Sequence, residues 1–302
     1  MARLCESRVC VVTGAGRGIG REHALALAAH GARVVVNDLG AAMDGSGGSA
    51  TPAQQVANEI VAAGGEAVAN TDDVASWDGA ARLVDVAVEA FGRLDVLVNN
   101  AGILRDRMLV NMTEAEWDAV IRVHLKGTAG PSHHAARHWR QRAKAGEDVE
   151  GRIINTSSPS GLYGNVGQSN YGAAKAGIAA FTVIAAMELA RYGVTVNAIA
   201  PAALTRMTEG LAMGSAPEEV KAQMDPRWIA PIVCWLASTD SRDVTARVFD
   251  VSGRELSVAE GWVRGPTMEP GEDPEALGPG VLGLCADARP PSDMRGRPRT
   301  QE

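Results

Sequence analysis

Short runs of β-branched and other apolar residues recur along this chain, separated by alanine-rich stretches of helical length. Residues 8–13, 33–38, 67–70, 94–98, 152–156, 194–199 and 247–251 read as strands. Residues 18–30, 52–63, 79–91, 114–126, 171–191 and 227–237 read as helices. Strand and helix alternating at this spacing predict an α/β fold, a doubly wound parallel sheet of seven strands with helices on both faces. Seven such strands fit one domain, placed at residues 1–264.

Three segments break the rhythm. Residues 40–51 are Gly/Ser-rich and predict a surface loop. Residues 202–226 contain Met207, Leu211, Met213 and Met224. They predict either a flexible apolar lid over a ligand or ordinary loop packing. Residues 265–302 hold seven of the fourteen prolines and six glycines, the pattern of a mobile tail or of an arm laid on a neighbouring subunit.

Composition narrows the class. A hydrophobic content of 46% suffices for a core, and scarce aromatics (4%) suit small side chains packed on a buried sheet. A net charge of −7 without a basic stripe argues against a nucleic-acid partner. No uninterrupted apolar run approaches the ~18 residues of a membrane span, and the N-terminus lacks a signal-peptide pattern. Cys5, Cys10, Cys234 and Cys285 show no C-x-x-C spacing and read as reduced thiols of a cytoplasmic protein.

A nucleotide site is written early in the chain. Thr13-Gly14-Ala15-Gly16-Arg17-Gly18-Ile19-Gly20 follows a predicted strand and opens a predicted helix. Glycines there let the backbone approach a pyrophosphate resting on the helix N-terminus, which marks Gly14, Arg17, Gly18, Ile19 and Gly20 as cofactor-binding candidates. Asp38, eighteen residues beyond Gly20, can accept both ribose hydroxyls and repel a 2′-phosphate, so NAD is favoured over NADP. Arg17 could pair with that phosphate, but the repulsion from Asp38 is direct. Asp73 and Val74 close the third strand, where a carboxylate could meet the adenine amino group; Asp72 competes for the role. Asn99, Asn100, Ala101 and Gly102 end the fourth strand, at the edge where such sheets bind ligands.

Proton chemistry is written later. Tyr171 and Lys175 are four residues apart, hence on one helix face, and Ser158 precedes Tyr171 by thirteen. An ammonium beside a phenol favours the phenolate, and a serine hydroxyl can hold a reacting oxygen. This is equipment for taking a proton from an alcohol or giving one to a carbonyl.

In order and spacing, the motifs at 13–20, Asp38, 99–102, Ser158, Tyr171-Gly-Ala-Ala-Lys175 and Asn197-Ala-Ile-Ala-Pro201 resemble the short-chain dehydrogenase/reductase family over residues 7 to about 261. The resemblance implies a single-domain Rossmann fold, a homodimer or homotetramer, and hydride transfer between NAD(P) and an alcohol or ketone. It makes Tyr171 the acid/base, Ser158 the holder of the substrate oxygen, and Lys175 a ribose ligand that lowers the Tyr171 pKa. It adds Pro201 to the cofactor-binding residues. Two positions depart from the pattern. His124 stands where relatives carry a relay Asn, and it reads either as a silent helix residue or as a water-placing or proton-carrying catalytic one. After Pro201 comes Ala202, so either Thr205 or Thr208 could contact the nicotinamide.

Val123-His124-Leu125-Lys126-Gly127, Val36-Asn37-Asp38-Leu39-Gly40 and Tyr163-Gly164-Asn165-Val166-Gly167-Gln168 are similar to the dehydrogenase unit of peroxisomal multifunctional β-oxidation enzymes and their bacterial relatives. That similarity implies oxidation of a (3R)-hydroxyacyl-CoA or, in some members, a 17β-hydroxysteroid, with any hydratase partner a separate protein. Arg105, Arg107 and Arg206 are candidates for the phosphates of CoA. The alternatives are an NADPH-dependent 3-oxoacyl reductase and a nucleotide-binding scaffold without turnover. His133, His134 and His138 read as a solvated or interface face, so no metal is expected.

Overall fold

The apolar runs pair side by side because each is buried on both faces and satisfies its backbone only through neighbours. A computed structural model describes residues 3–42, 44–204 and 217–299. The chain runs β1 (Val9–Thr13), α1 (Gly18–Ala29), β2 (Arg33–Asn37), α2 (Thr51–Ala62), β3 (Glu66–Asn70), α3 (Trp77–Phe91) and β4 (Val96–Asn99). It continues through α4 (Glu114–Ile121), α5 (Gly127–Lys144), β5 (Gly151–Thr156), α6 (Pro159–Tyr163), α7 (Ser169–Leu189) and β6 (Val194–Pro201). After α8 (Glu218–Gln223) and α9 (Ala230–Ala237) come β7 (Val248–Val251), β8 (Leu256–Val258) and α10 (Pro274–Asp287).

The sheet order is β3-β2-β1-β4-β5-β6-β7-β8. All pairs are parallel except β7 with β8. This is the expected doubly wound α/β sheet with one correction: eight strands, not seven. Strand β8 returns along β7 through a tight turn in which Ser252 N donates to Glu255 O (2.9 Å). Three exposed residues carry no readable periodicity.

Alternation within each strand divides the core. Val34 and Val36 of β2 join the layer formed with α1, α2 and α9, whereas Val35 joins the layer on the opposite face with α3 and α5. The order reverses between β1 and β4, opening a crevice at the carboxyl ends of the strands.

Three further features depart from the sequence pattern. The helix expected over 114–126 stops at Ile121 and continues as a π turn over Arg122–Lys126 before α5. A π turn inserts a residue into the helical register and re-aims the side chains within it. Helix α7 with its extension, Ser169–Tyr192, is by length and composition apolar enough to cross a membrane, although no uninterrupted run suggested it. Its inner face, through Ala174, Lys175, Ile178 and Thr182, is buried in the protein. The tail carries α10 and a hairpin folded against the chain's own residues.

His23 lies wholly buried in α1, and neither ring nitrogen has a hydrogen-bond partner among the described residues. Burial pushes its pKa down to about 3. Its folded pKa thus lies below the unfolded one, so the unfolded chain binds the extra proton first and stability falls as pH drops from about 6.5 toward about 3. The slope is about 1.4 kcal/mol per pH unit for a single such group. His124, pushed to about 3 by the same cause, adds a parallel loss. Urea denaturation at stepped pH is expected to show a shallower acid loss in His23→Leu than in the parent. Equal slopes would mean that His23 does not titrate in this way.

Candidate active site

A cavity of ≈ 390 Å³ occupies the crevice at the strand ends. One wall is the turn between β1 and α1, with Gly14, Arg17, Gly18, Ile19 and Gly20; Asp38 stands at the end of β2, and Asp73 and Val74 follow β3. The opposite wall is formed by Ala101, Gly102, His124, Ser158, Tyr171, Lys175 and Pro201. Side chains spread over the first two-thirds of the sequence therefore meet in one space.

The nucleotide half has the chemistry of an anion and diol site. Helix α1 begins without a capping side chain, so its first N–H groups are left for a ligand at the positive end of the helix dipole. Asp38 accepts the Gly16 N–H (2.8 Å) and the Gly40 N–H (2.7 Å), which fixes the carboxylate at the cavity wall. Arg17 lies exposed at the rim. Asp73 pairs with Arg122 (2.9 Å) and accepts the Ala75 N–H, while Asp72 pairs with Arg82 (2.6 Å); both carboxylates line the cavity. The buried Thr156 Oγ1, also on the wall, has no hydrogen-bond partner among the described residues. An uncapped helix start, a fixed carboxylate and an orphaned hydroxyl fit a dinucleotide.

Asn99 does not line the cavity. Its amide donates to Ser132 Oγ and Asn155 Oδ1 (both 2.9 Å) inside the protein, away from the cavity. Asn100, pointing the other way as strand alternation requires, lines the cavity and donates to Thr13 O (3.0 Å) and Gly14 O (3.1 Å).

The proton-transfer half is assembled by close packing of α6 on α7. A Cβ on Gly161 would sit 2.6 Å from both Ala176 N and Lys175 Cβ, so only glycine allows this approach. Ser158 caps α6, accepting the Ser160 N–H (3.2 Å), and its hydroxyl meets Tyr171. Lys175 is buried, donates from Nζ to Thr156 O (2.6 Å) and lies 5.5 Å from the Tyr171 ring centroid.

Electrostatics here differ from expectation. Tyr171 is half-buried as a residue, but its phenol is enclosed, and burial pushes its pKa up to about 12. The Ser158 hydrogen bond pulls the other way and the nearby Asp106 carboxylate pushes further up. Burial also brings Lys175 down to about 7. Desolvation dominates both groups, and the Lys175 amine donates to Thr156 O.

The π turn directs His124 inward, its ring 5.1 Å from that of Tyr171 in an edge-on arrangement. Nε2 lies 2.8 Å from Ile103 O and 3.1 Å from Ile103 N, and Nδ1 is buried without a partner among the described residues. Thr205 and Thr208, with Arg206, Met207, Leu211 and Met213, lie outside the described residues. Arg107 is paired to Glu116 (3.1 Å), and Arg105 lies 3.9 Å from Asp44. His133 and His134 pack against Trp77.

Sequence reasoning missed Gln168 and Met294, both on the cavity wall. Gln168 donates to Asp106 (2.8 Å) and accepts from Ser160 Oγ (2.7 Å), ordering the wall beside Tyr171. The motif at 163–168 was the available signal for Gln168; nothing local points to Met294, which arrives from the tail.

The family model for short chain dehydrogenases matches residues 8–215. Hydroxyacyl-CoA dehydrogenase ChsB1 of Mycobacterium tuberculosis is 46% identical over 271 residues, covering 87% of this chain and 81% of that protein. The peroxisomal hydratase-dehydrogenase-epimerase of Neurospora crassa is 42% identical over 252 residues; the match covers 83% of this chain and only 27% of the larger protein. The crystal structure of a short chain dehydrogenase from Mycobacterium avium matches with a TM-score of 0.86 at 55% identity, covering 96% of this chain and 98% of that one.

Proposed function

The chain belongs to the short chain dehydrogenase family, an alcohol oxidoreductase with a nicotinamide cofactor, and from that premise we propose that it oxidises the 3-hydroxyl of a hydroxyacyl-CoA with NAD. The observation that carries this reading is the meeting of Ser158, Tyr171 and Lys175 on one wall, opposite an uncapped helix N-terminus and a fixed Asp38. A 17β-hydroxysteroid presents the same secondary alcohol and is the second substrate class. The naming of a hydroxyacyl-CoA dehydrogenase among the relatives favours the thioester.

NAD, when bound, would supply the acceptor for the hydride leaving the carbinol carbon. The first turn of α1 would hold its pyrophosphate and Asp38 its ribose hydroxyls. Ser158 donates a hydrogen bond to the alcohol oxygen, and Tyr171 takes the alcohol proton at Oη. Lys175, fixed by Thr156 O, presents its amine beside the phenol and passes protons onward. His124 is neutral near pH 7 and acts by placing water through Nδ1 rather than by carrying charge.

The exposed apolar face of α7, with Val183, Ile184 and Met187, supports a homo-oligomer, a dimer or tetramer. The buried free thiols of Cys5, Cys10 and Cys234 support a reducing, cytoplasmic setting. The catalytic unit is residues 1–264.

Asp38→Ala removes the like-charge repulsion against a 2′-phosphate and one ribose ligand. The ratio of kcat/KM with NAD to that with NADP is expected to fall about tenfold or more in steady-state assays, mostly through the KM for NAD. An unchanged ratio would reject Asp38 as the selector. Forming NADH from a panel of 3-hydroxyacyl-CoAs and 17β-hydroxysteroids tests the reading as a whole. Silence toward every member would sink it.

A further inference from the structure

Beyond the catalytic wall, the tail brings a compact basic element to the cavity mouth. Residues 289–299 contain four arginines and one carboxylate, Asp293, a local charge of +3 (4 − 1) on a chain whose net charge is −7. The segment is a closed hairpin. Ser292 and Pro298 bridge antiparallel, Asp293 N donates to Arg297 O (2.7 Å), and Asp293 Oδ1 accepts the N–H groups of Arg295 (2.8 Å) and Arg297 (3.0 Å). It rests on the loop leading into α7. Arg299 donates to Ser292 O (2.8 Å) and Tyr163 O (3.5 Å), and a Cβ on Gly296 would lie 3.0 Å from the Tyr163 ring. Tyr163 is held in turn by its hydroxyl on Asp250 (3.2 Å).

Between hairpin and loop runs an open groove of ≈ 440 Å³. Asn165 and Met294 line both this groove and the active-site cavity, so the two spaces share a wall. Arg299 lines the groove, and Arg295 and Arg297 stand exposed on the same hairpin beside Asp293. Arg107 and Arg105, the other described candidates for the carrier's phosphates, face carboxylates, Glu116 and Asp44.

We propose that this groove takes the carrier arm of a CoA thioester, with Met294 against the arm where it leaves the cavity and the hairpin arginines on the carrier's phosphates. The inference rests on the hydroxyacyl-CoA reading above. The hydroxyl-bearing acyl end of such a substrate must reach Tyr171. Its carrier is long, ends in phosphate groups and must lead outward. A groove that shares a wall with the cavity, lined by Arg299 and Asp293 and with the exposed Arg295 and Arg297 on the same hairpin, matches both halves, since guanidinium binds phosphate through paired, charge-assisted hydrogen bonds. A steroid has no phosphates and would make no use of the arginines.

The test compares a 3-hydroxyacyl-CoA with the matching N-acetylcysteamine thioester, which keeps the acyl group but carries no phosphate. In the double variant Arg295→Ala/Arg297→Ala, the ratio of kcat/KM for the CoA ester to that for the short thioester is expected to fall about tenfold, from two exposed charge contacts. Added salt is expected to lower the ratio in the parent enzyme and to move it little in the variant. Arg299→Ala should lower it further, but this residue also ties the hairpin down; the double variant loses charge beside Asp293 yet keeps the backbone N–H bonds of residues 295 and 297 to that carboxylate, and turnover of the short thioester reports on its folding. An unchanged ratio while both esters are oxidised would overturn the groove assignment alone. Failure of the parent enzyme to oxidise either ester would overturn the groove and the hydroxyacyl-CoA reading together.

Discussion

Tyr171→Phe is expected to lower kcat by roughly a hundred- to ten-thousand-fold, the range for loss of a positioned acid/base, while NADH affinity stays within about threefold. The substitution deletes one oxygen from an enclosed position and keeps the ring that packs edge-on against His124. Lys175 retains its bond to Thr156 O, and the α1 N-terminus is untouched. The loss should thus appear in turnover rather than in cofactor binding. Burial holds the Tyr171 phenol near 12, so the parent enzyme should oxidise alcohols faster as pH rises through the neutral range, because the phenolate fraction grows with each unit. In the variant this pH dependence should vanish along with the rate. Stopped-flow turnover and NADH fluorescence titration on the same preparation separate the two effects. A variant with the parent's kcat would show that the proton leaves the alcohol by another route.

The part of this site legible in sequence is the part set by local spacing. Tyr171 and Lys175 share a face because four residues make about one helical turn, and the glycine turn announces itself between a strand and a helix. Asp38 was legible because the end of a strand places it. Asn99 and Asn100 show the limit: both stand at the end of β4, and only the register, with Asn99 opposite Asn155, tells which one turns away from the cavity. The π turn was hidden because Arg122–Lys126 keeps helical composition while its register shifts. The electrostatic character of the catalytic pair was also hidden. An ammonium four residues away predicts a lowered phenol pKa, but desolvation depends on everything packed around both groups and reverses the sign.

The tail is a different case. Its proline and glycine richness predicts a mobile tail or an arm on a neighbouring subunit, whereas the hairpin itself is closed by Gly296, at φ 71°, and by Asp293, which holds two backbone N–H groups. The contact of Met294 with the cavity spans more than a hundred residues of sequence from Asn165, so no window of local pattern contains it. Eight strands and a tail brought back over the site are products of tertiary closure rather than of periodicity.

Gly20→Ala is expected to weaken NADH binding about tenfold or more and to lower folding stability by about 1–3 kcal/mol, the cost of inserting a methyl group where backbone must yield. Gly20 is the third residue of α1. A Cβ there would overlap Gly14 O and Asn100 Nδ2 and approach Gly14 C to 2.9 Å. None of these atoms can withdraw cheaply. Asn100 Nδ2 is bonded to Thr13 O and Gly14 O, and Thr13 Oγ1 accepts the N–H groups of Asn100 (2.9 Å) and Ala101 (3.1 Å). These bonds stitch the glycine turn to the end of β4, so a methyl group at 20 must push the start of the helix outward from both. The same N–H groups that would meet a pyrophosphate move with it, which couples the packing strain to affinity. Thermal unfolding gives the stability term, and an NADH titration well below the melting temperature gives the binding term free of unfolded chains. A folded Gly20→Ala protein with the parent's NADH affinity would mean that the pyrophosphate does not rest on the first turn of α1, and the nucleotide half of the site would have to be sought elsewhere along the crevice.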